Sequence, residues 1–252
     1  KGYTVPGVVT GKPVVLGGSL GRREATGRGL VYLVEAAADH TGLDLNGATA
    51  VVQGFGNVGS STAKFLEEDG AKVLAVSDVT TGIYNPNGLS VQALFDYVAE
   101  NRFLEGYTEG DTVTNEELLE IECDVLAPCA LQNQITGENA DRINCKILAE
   151  GANGPTTLEA DEVLNGKGVF VLPDVLGNAG GVTVSYFEWV QDTQNYMWTL
   201  KEINERLHAI LLDAFERSIK RATSEGYDLR TAALIEGIQR VTQAKLLRGV
   251  FP

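Results

Sequence analysis

Gly54-Phe55-Gly56-Asn57-Val58-Gly59 is the stretch on which the reading of this chain turns. Alone it is weak evidence, because a chain with 29 glycines produces such spacings by chance. Its surroundings make it specific. An apolar run, Thr49–Gln53, precedes it and reads as a short buried strand, and a helical pattern from Val58 to Asp69 follows. A second apolar strand, Lys72–Ser77, then ends at Asp78, nineteen residues after Gly59. This order of parts suits a dinucleotide. Gly54 permits the tight turn, Gly56 lets the backbone approach a pyrophosphate, and Gly59 lets the helix lie close on the strand. The free amides at the helix start face the phosphates, where the helix dipole favours negative charge. Phe55, Asn57 and Val58 complete the turn and belong to the same candidate site. Asp78 is expected to accept hydrogen bonds from the adenosine ribose; the plainer alternative is a structural glycine turn with Asp78 capping the loop after it. A carboxylate there repels a 2′-phosphate, and Val79, Thr80 and Thr81 bring no cation. NAD is therefore expected ahead of NADP, with NADP still open.

Working outward, strands and helices alternate. A helix is expected from Ala25 to His40, with Leu30, Leu33, Val34 and Ala37 on one face. Apolar runs at Asp124–Ala127, Lys146–Ala149 and Val169–Leu172 read as further buried strands. Thr114 with Glu117, and Thr156 with Glu159, have the spacing of capping boxes at helix starts. The alternation predicts a doubly wound, mainly parallel, Rossmann-like α/β sheet. From Thr199 the pattern turns purely helical: one helix closes at Gly226 and a last one runs from Leu229 to Leu247. The expected division is an irregular lead-in (1–21), a dinucleotide-binding domain (22–198) and a helical pair (199–252) packing on it.

Ligands of open parallel sheets lie at the carboxyl ends of the strands. The loops expected there are Ala127–Ala130, Glu150–Pro155 and Asp174–Gly181, all rich in small or amide-bearing residues. Ala130 falls in the first; Asn153 and Asn178, in the other two, can offer amides to a nicotinamide carboxamide. Ordinary turns have the same composition, and that alternative stands for any one loop.

Composition narrows the classes. A net charge of −14, from 34 acidic and 20 basic residues, disfavours nucleic acid and anionic membranes as partners. No apolar run is long enough to span a bilayer. Cys123, Cys129 and Cys145 have no C-x-x-C spacing and suit a reduced, cytoplasmic protein. His40 and His208 are isolated from one another, so neither a metal site nor a histidine-based triad is expected. The sequence opens at Lys1 in mid-pattern and reads as a piece of something longer.

Five stretches together resemble the glutamate/leucine/phenylalanine/valine dehydrogenase family over essentially the whole chain. They are Tyr3–Gly7 with Val9–Pro13, Ala25–Gly29, Gly54–Gly59, Ala149–Thr156 and Asn178–Ser185. The resemblance implies a dinucleotide fold in which one strand runs reversed. It also implies oxidative deamination of an amino acid to a 2-oxo acid and ammonia, with a nicotinamide cofactor taking the hydride. Residue by residue, it makes Thr26 a contact of the nicotinamide amide, Asn57 a neighbour of the phosphates and Arg22 a neighbour of the substrate α-carboxylate. Val182 and Ser185 fall in the amino-acid pocket. A hydroxyl at Ser185 can bond a side-chain carboxylate, which favours glutamate over leucine, phenylalanine or valine, because a buried carboxylate without partners is costly. Family members also carry an amino-terminal substrate domain with a glycine-flanked catalytic lysine and an aspartate in a Pro-Ala-Pro-Asp-type segment. Neither motif occurs here, and Lys12 lies in the lead-in, so no catalytic residue is expected in this chain. The resemblance implies a homo-hexameric parent enzyme. A dinucleotide-binding module that never catalyses is the alternative from another class.

Overall fold

The computed structural model describes residues 2 and 4–249; Tyr3, in the first family-like stretch, lies outside the described residues. After two single helical turns at Pro6–Val8 and Val14–Leu16, the chain enters α1 (Ala25–Thr41), β1 (Thr49–Gln53), α2 (Asn57–Glu68) and β2 (Lys72–Ser77). Next come β3 (Gly82–Tyr84), α3 (Val91–Asn101), β4 (Asp111–Val113) and α4 (Asn115–Leu119). Then β5 (Cys123–Pro128), β6 (Cys145–Ala149), α5 (Leu158–Gly166), β7 (Phe170–Leu172) and α6 (Asp174–Gly177) follow, and α7 (Ala179–Gln194), α8 (Leu200–Glu225) and α9 (Leu229–Arg248) close the chain.

The seven strands form one sheet in the order β4-β3-β2-β1-β5-β6-β7. β3 pairs antiparallel with both β2 and β4, and the other pairings are parallel. One strand therefore runs reversed, as the family resemblance implied. Only four residues, Asp78–Thr81, separate the paired ends of β2 and β3, Ser77 and Gly82, so β3 has to return against β2.

Both faces of the sheet are covered, and successive residues of each central strand serve opposite cores. Ala50, Val52, Val125 and Ala127 join the α1, α2, α7 and α8 side, where Leu30, Leu33, Phe65, Phe187 and Leu207 are buried. Val51, Leu126 and Leu148 face the smaller core with Leu118 of α4 and Leu164 of α5. Burial on both faces is why these strands read as continuous apolar runs.

Thr114 and Glu117 form the expected capping box at α4. At α5 the expectation needs correcting. Thr157, not Thr156, caps the helix by accepting from the Ala160 amide, because Thr156 is drawn into a parallel bridge with Ile135. An unforeseen capping box, Thr199 with Glu202, starts α8. No helix among the described residues is long and apolar enough to cross a membrane.

Candidate functional site

The chain passes from β1 by way of β2 to β4 on one side of the sheet, then returns to β5 on the other side of β1. The switch point thus lies between the carboxyl ends of β1 and β5, where open sheets bind ligands. A cavity of about 590 Å³ opens there, lined by Gly54, Phe55, Gly56, Asp78, Ala130 and Leu131 among others. A second, of about 500 Å³, adjoins it past Phe55 and Gly56 and reaches Arg23, Asn57 and Ser60. A wider basin of about 800 Å³ lies at the opposite edge of the sheet. Its lysines are already engaged, Lys146 with Asp124 at 2.8 Å and Lys167 with the Asp141 and Ile143 carbonyls.

The glycine turn is built as its spacing requires. Gly54 has φ +92°, a backbone state that L side chains rarely adopt. A Cβ on Gly59 would lie 1.7 Å from the Gly54 carbonyl oxygen, whereas one on Gly56 would meet nothing within 4 Å. Gly59 is thus needed by the fold, while Gly56 faces open space. No side chain caps the amino end of α2, which leaves its first amides directed at that space. A pyrophosphate fits this cradle: it needs donors, a positive helix end and room, and finds all three. Val58 does not line either cavity; a Cβ on Gly151 would approach its side chain to 3.2 Å, so it packs inward.

Asp78 lines the larger cavity, yet its carboxylate is also occupied. Oδ1 accepts from the Thr80 amide at 2.7 Å, the Thr80 hydroxyl at 2.5 Å and the Thr81 amide at 3.2 Å. Oδ2 accepts from the Leu104 amide at 2.7 Å. Burial alone would raise this carboxyl, but the donors from Thr80, Leu104 and Thr81 outweigh it and hold it below the ordinary aspartate range. Asp78 therefore caps its own loop, and what it can offer a ribose is the remaining acceptor capacity of that ionised group. The cavity also contains a cation absent from the 79–81 loop: Arg102, at the end of α3 with φ +74°.

The later loops meet at the same edge. Asn178, between α6 and α7, donates through Nδ2 to Asn153 Oδ1 at 2.7 Å. On the α1 side, Arg22 Nε donates to Ser185 Oγ at 2.7 Å. Gly181 lets Thr26 of α1 come close on α7, since a Cβ there would lie 2.5 Å from Thr26 Oγ1, and it would stand at an ordinary contact distance of 3.6 Å from Arg22 Nη1. Arg22, Thr26, Gly181 and Ser185 are thereby gathered in one place. Val182, also on α7, is 70% exposed. Asn57 Nδ2 donates to the Arg23 carbonyl at 2.8 Å and ties this group to the glycine turn.

Two charged clusters escaped sequence reasoning. Lys12 Nζ contacts Glu188 at 2.5 Å and Asp192 at 2.8 Å, fastening the lead-in to α7. Arg230 of α9 pairs with Glu150 and Asp161, each at 2.8 Å. Nothing local distinguishes either cation from a solvated surface charge; only the tertiary fold buries their partners.

The sequence pattern of the glutamate/leucine/phenylalanine/valine dehydrogenases matches residues 17–249. The chain is 50% identical to the glutamate dehydrogenase of Thermotoga maritima, over 100% of this chain and 61% of that protein. It is 46% identical to a catabolic NAD-specific glutamate dehydrogenase of Bacillus subtilis, over 98% of this chain and 58% of that protein. The hetero-hexameric glutamate dehydrogenase from Thermus thermophilus, in its Leu-bound form, superposes with a TM-score of 0.92 at 40% identity, covering 100% of this chain and 59% of that one. The chain thus spans about three fifths of the length of the curated relatives it matches. Likeness of sequence and of architecture agree, and the chain belongs to the glutamate/leucine/phenylalanine/valine dehydrogenase family.

Proposed function

We propose that this chain is the cofactor-binding part of an enzyme that oxidatively deaminates L-glutamate to 2-oxoglutarate and ammonia, with NAD preferred and NADP tolerated. The observation that carries this reading is the Asn57–Arg23 hydrogen bond, which sets the glycine turn beside the segment bearing Arg22 and Thr26. A dinucleotide cradle and a carboxylate-binding couple would thus stand on adjoining segments. Gly54, Gly56 and the α2 amides would hold the pyrophosphate, and Asp78 and Ala130 the adenosine. Thr26, Asn153 and Asn178 would hold the nicotinamide amide. When bound, the nicotinamide supplies the hydride acceptor. Arg22 and Ser185, with Val182 at the rim, would bind and orient the amino acid, keeping its α-carbon within reach of the cofactor. The proton-transferring lysine and aspartate are assigned to the family's substrate domain, and the parent enzyme is assigned a homo-hexameric assembly. The three free thiols suit a reducing, cytoplasmic setting.

Asp78 remains ionised and disfavours a 2′-phosphate, while Arg102 in the same cavity moderates that preference. The test is a fluorescence titration of the 252-residue chain with NADH and NADPH. Saturable binding of both, tighter for NADH, is expected, with negligible glutamate oxidation by the chain alone. A folded sample with no affinity for either cofactor would overturn the reading.

A further inference from the structure

Beneath the Asn153–Asn178 pair lies a buried ion cluster whose only cation comes from α9. Arg230 makes two forked pairs. Nη1 and Nη2 donate to the Glu150 carboxylate at 2.9 and 2.8 Å, and Nε and Nη2 donate to Asp161 at 2.8 and 3.2 Å. The Glu150 side chain is completely buried. Asp174 stands 3.5 Å from Nη1, so one guanidinium faces three carboxylates. Burying such a group is costly, and doubly forked geometry gives directional constraint more than stability.

That constraint runs on toward the cleft. Glu150 Oε2 accepts from the Asp174 amide at 2.8 Å, and Asp174 Oδ2 accepts from the Gly154 amide at 2.8 Å. Gly154 adjoins Asn153, and α6, which starts at Asp174, delivers Asn178. The 2.7 Å bond between the two asparagines closes the circuit. We propose that Arg230 is a positioning residue for the nicotinamide end of the cofactor site, holding Asn153 and Asn178 in place through Glu150 and Asp174. The inference rests on the dinucleotide reading above. It makes the carboxyl-terminal helix part of the cofactor site without touching the cofactor. The adenosine end is built from the β1, β2 and β5 loops and includes no member of this cluster.

The experiment compares NADH with ADP-ribose, which lacks the nicotinamide, on the 252-residue chain. Arg230→Lys keeps the charge but cannot make two forks. It is expected to weaken NADH roughly tenfold while leaving ADP-ribose within about twofold. Asp174→Ala removes the link nearest the asparagines and is expected to give the same split. A purely structural cluster would weaken both ligands alike or neither, and either result in a folded variant overturns the proposal. Should Arg230→Lys fail to fold, Asp174→Ala decides alone, since its side chain is 27% exposed and its loss leaves the Arg230 forks to Glu150 and Asp161 in place. If the unmodified chain binds neither ligand, the dinucleotide reading fails and this proposal with it, an outcome distinct from an even loss of both.

Discussion

Arg22 Nε and Ser185 Oγ stand 2.7 Å apart, joining the approach to α1 to α7 across 163 residues of sequence. On the same helix Thr183 and Thr193 bond the carbonyls four residues back, the usual fate of a helical hydroxyl. Ser185 instead accepts from Arg22, so its own proton is free to be donated, and the guanidinium keeps its Nη donors for a carboxylate. In the intact enzyme Ser185→Val is expected to raise KM for glutamate about ten- to a hundredfold, the effect of losing one hydrogen bond to a charged group. NADH affinity should stay unchanged and relative activity on leucine or valine should rise. An unaltered glutamate KM would remove Ser185 from the pocket.

Two glycines separate the needs of binding from those of folding. A Cβ on Gly56 meets nothing within 4 Å, whereas one on Gly180 would lie 2.1 Å from the Ala25 carbonyl oxygen. Gly56→Ala should leave the melting temperature unchanged and weaken NADH, because the methyl group occupies the space assigned to the pyrophosphate. Gly180→Ala should cost about 1–3 kcal/mol in denaturant unfolding by forcing α1 and α7 apart. Equal NADH affinity for Gly56→Ala and the unmodified chain would move the phosphates elsewhere.

Lys12→Met strands a buried acid. The Glu188 side chain has no solvent exposure and takes hydrogen bonds from Lys12 Nζ and from the Gly11 and Lys12 amides. Removing the cation is expected to cost about 3–5 kcal/mol near neutral pH. Burial alone would raise Glu188, but the Lys12 and Gly11 donors overcome it and hold the carboxyl below its ordinary range. A depressed acid stabilises the fold above its unfolded pKa, and that stabilisation is lost as pH falls through the folded value. The gap between variant and unmodified chain should therefore close in acid, below about pH 4. Urea unfolding across this range provides the check, and a pH-independent gap would contradict the assignment.

Glu35 has the opposite sign. Burial, then the neighbouring Asp69 carboxyl, pushes it up to about 7, with Asp39 adding to the effect and Arg28 opposing it. Asp69 Oδ2 is buried and lacks a donor, which a proton on Glu35 would supply. A raised acid contributes stability that is complete below its ordinary pKa and is lost as pH rises through about 7. Glu35→Gln should remove this slope, so its melting temperature relative to the unmodified chain climbs between about pH 5 and pH 8. A flat difference over that interval would show that the pair does not share a proton.

The parts of this molecule legible in advance were those dictated locally. Thr49–Gln53 and Lys72–Ser77 read as strands because two-sided burial demands unbroken apolar runs, and the structure places them at those same residues. The glycine turn was legible because its backbone tolerates little else at Gly54 and Gly59. β3 and β4 escaped as individual strands. Each has three residues, and in β4 Asp111 and Thr112 are exposed, so neither presents a period to read. Within the site, the Arg22–Ser185 contact depends on folding two distant segments together; family likeness named the two residues but not the bond between them. The Asp78 carboxylate was placed at the right edge, but its engagement with Leu104, 26 residues onward, had no local sign. Arg230 and Lys12 were hidden for an electrostatic reason: charged side chains normally signal solvent, and theirs point at buried acids.

Two of the helices packed on α1 come unusually near it. A Cβ on Gly27 would fall 2.7 Å from the Thr62 amide of α2, and a Cβ on Gly29 would fall 3.0 Å from Gly180 of α7. Three rods in backbone contact have almost no freedom to slide. The interval between the glycine turn and the Arg22 guanidinium is then a fixed gauge, the same whatever occupies the cleft. A different occupant then has to be met by exchanging side chains at the gauge's ends, since the gauge itself offers no adjustment.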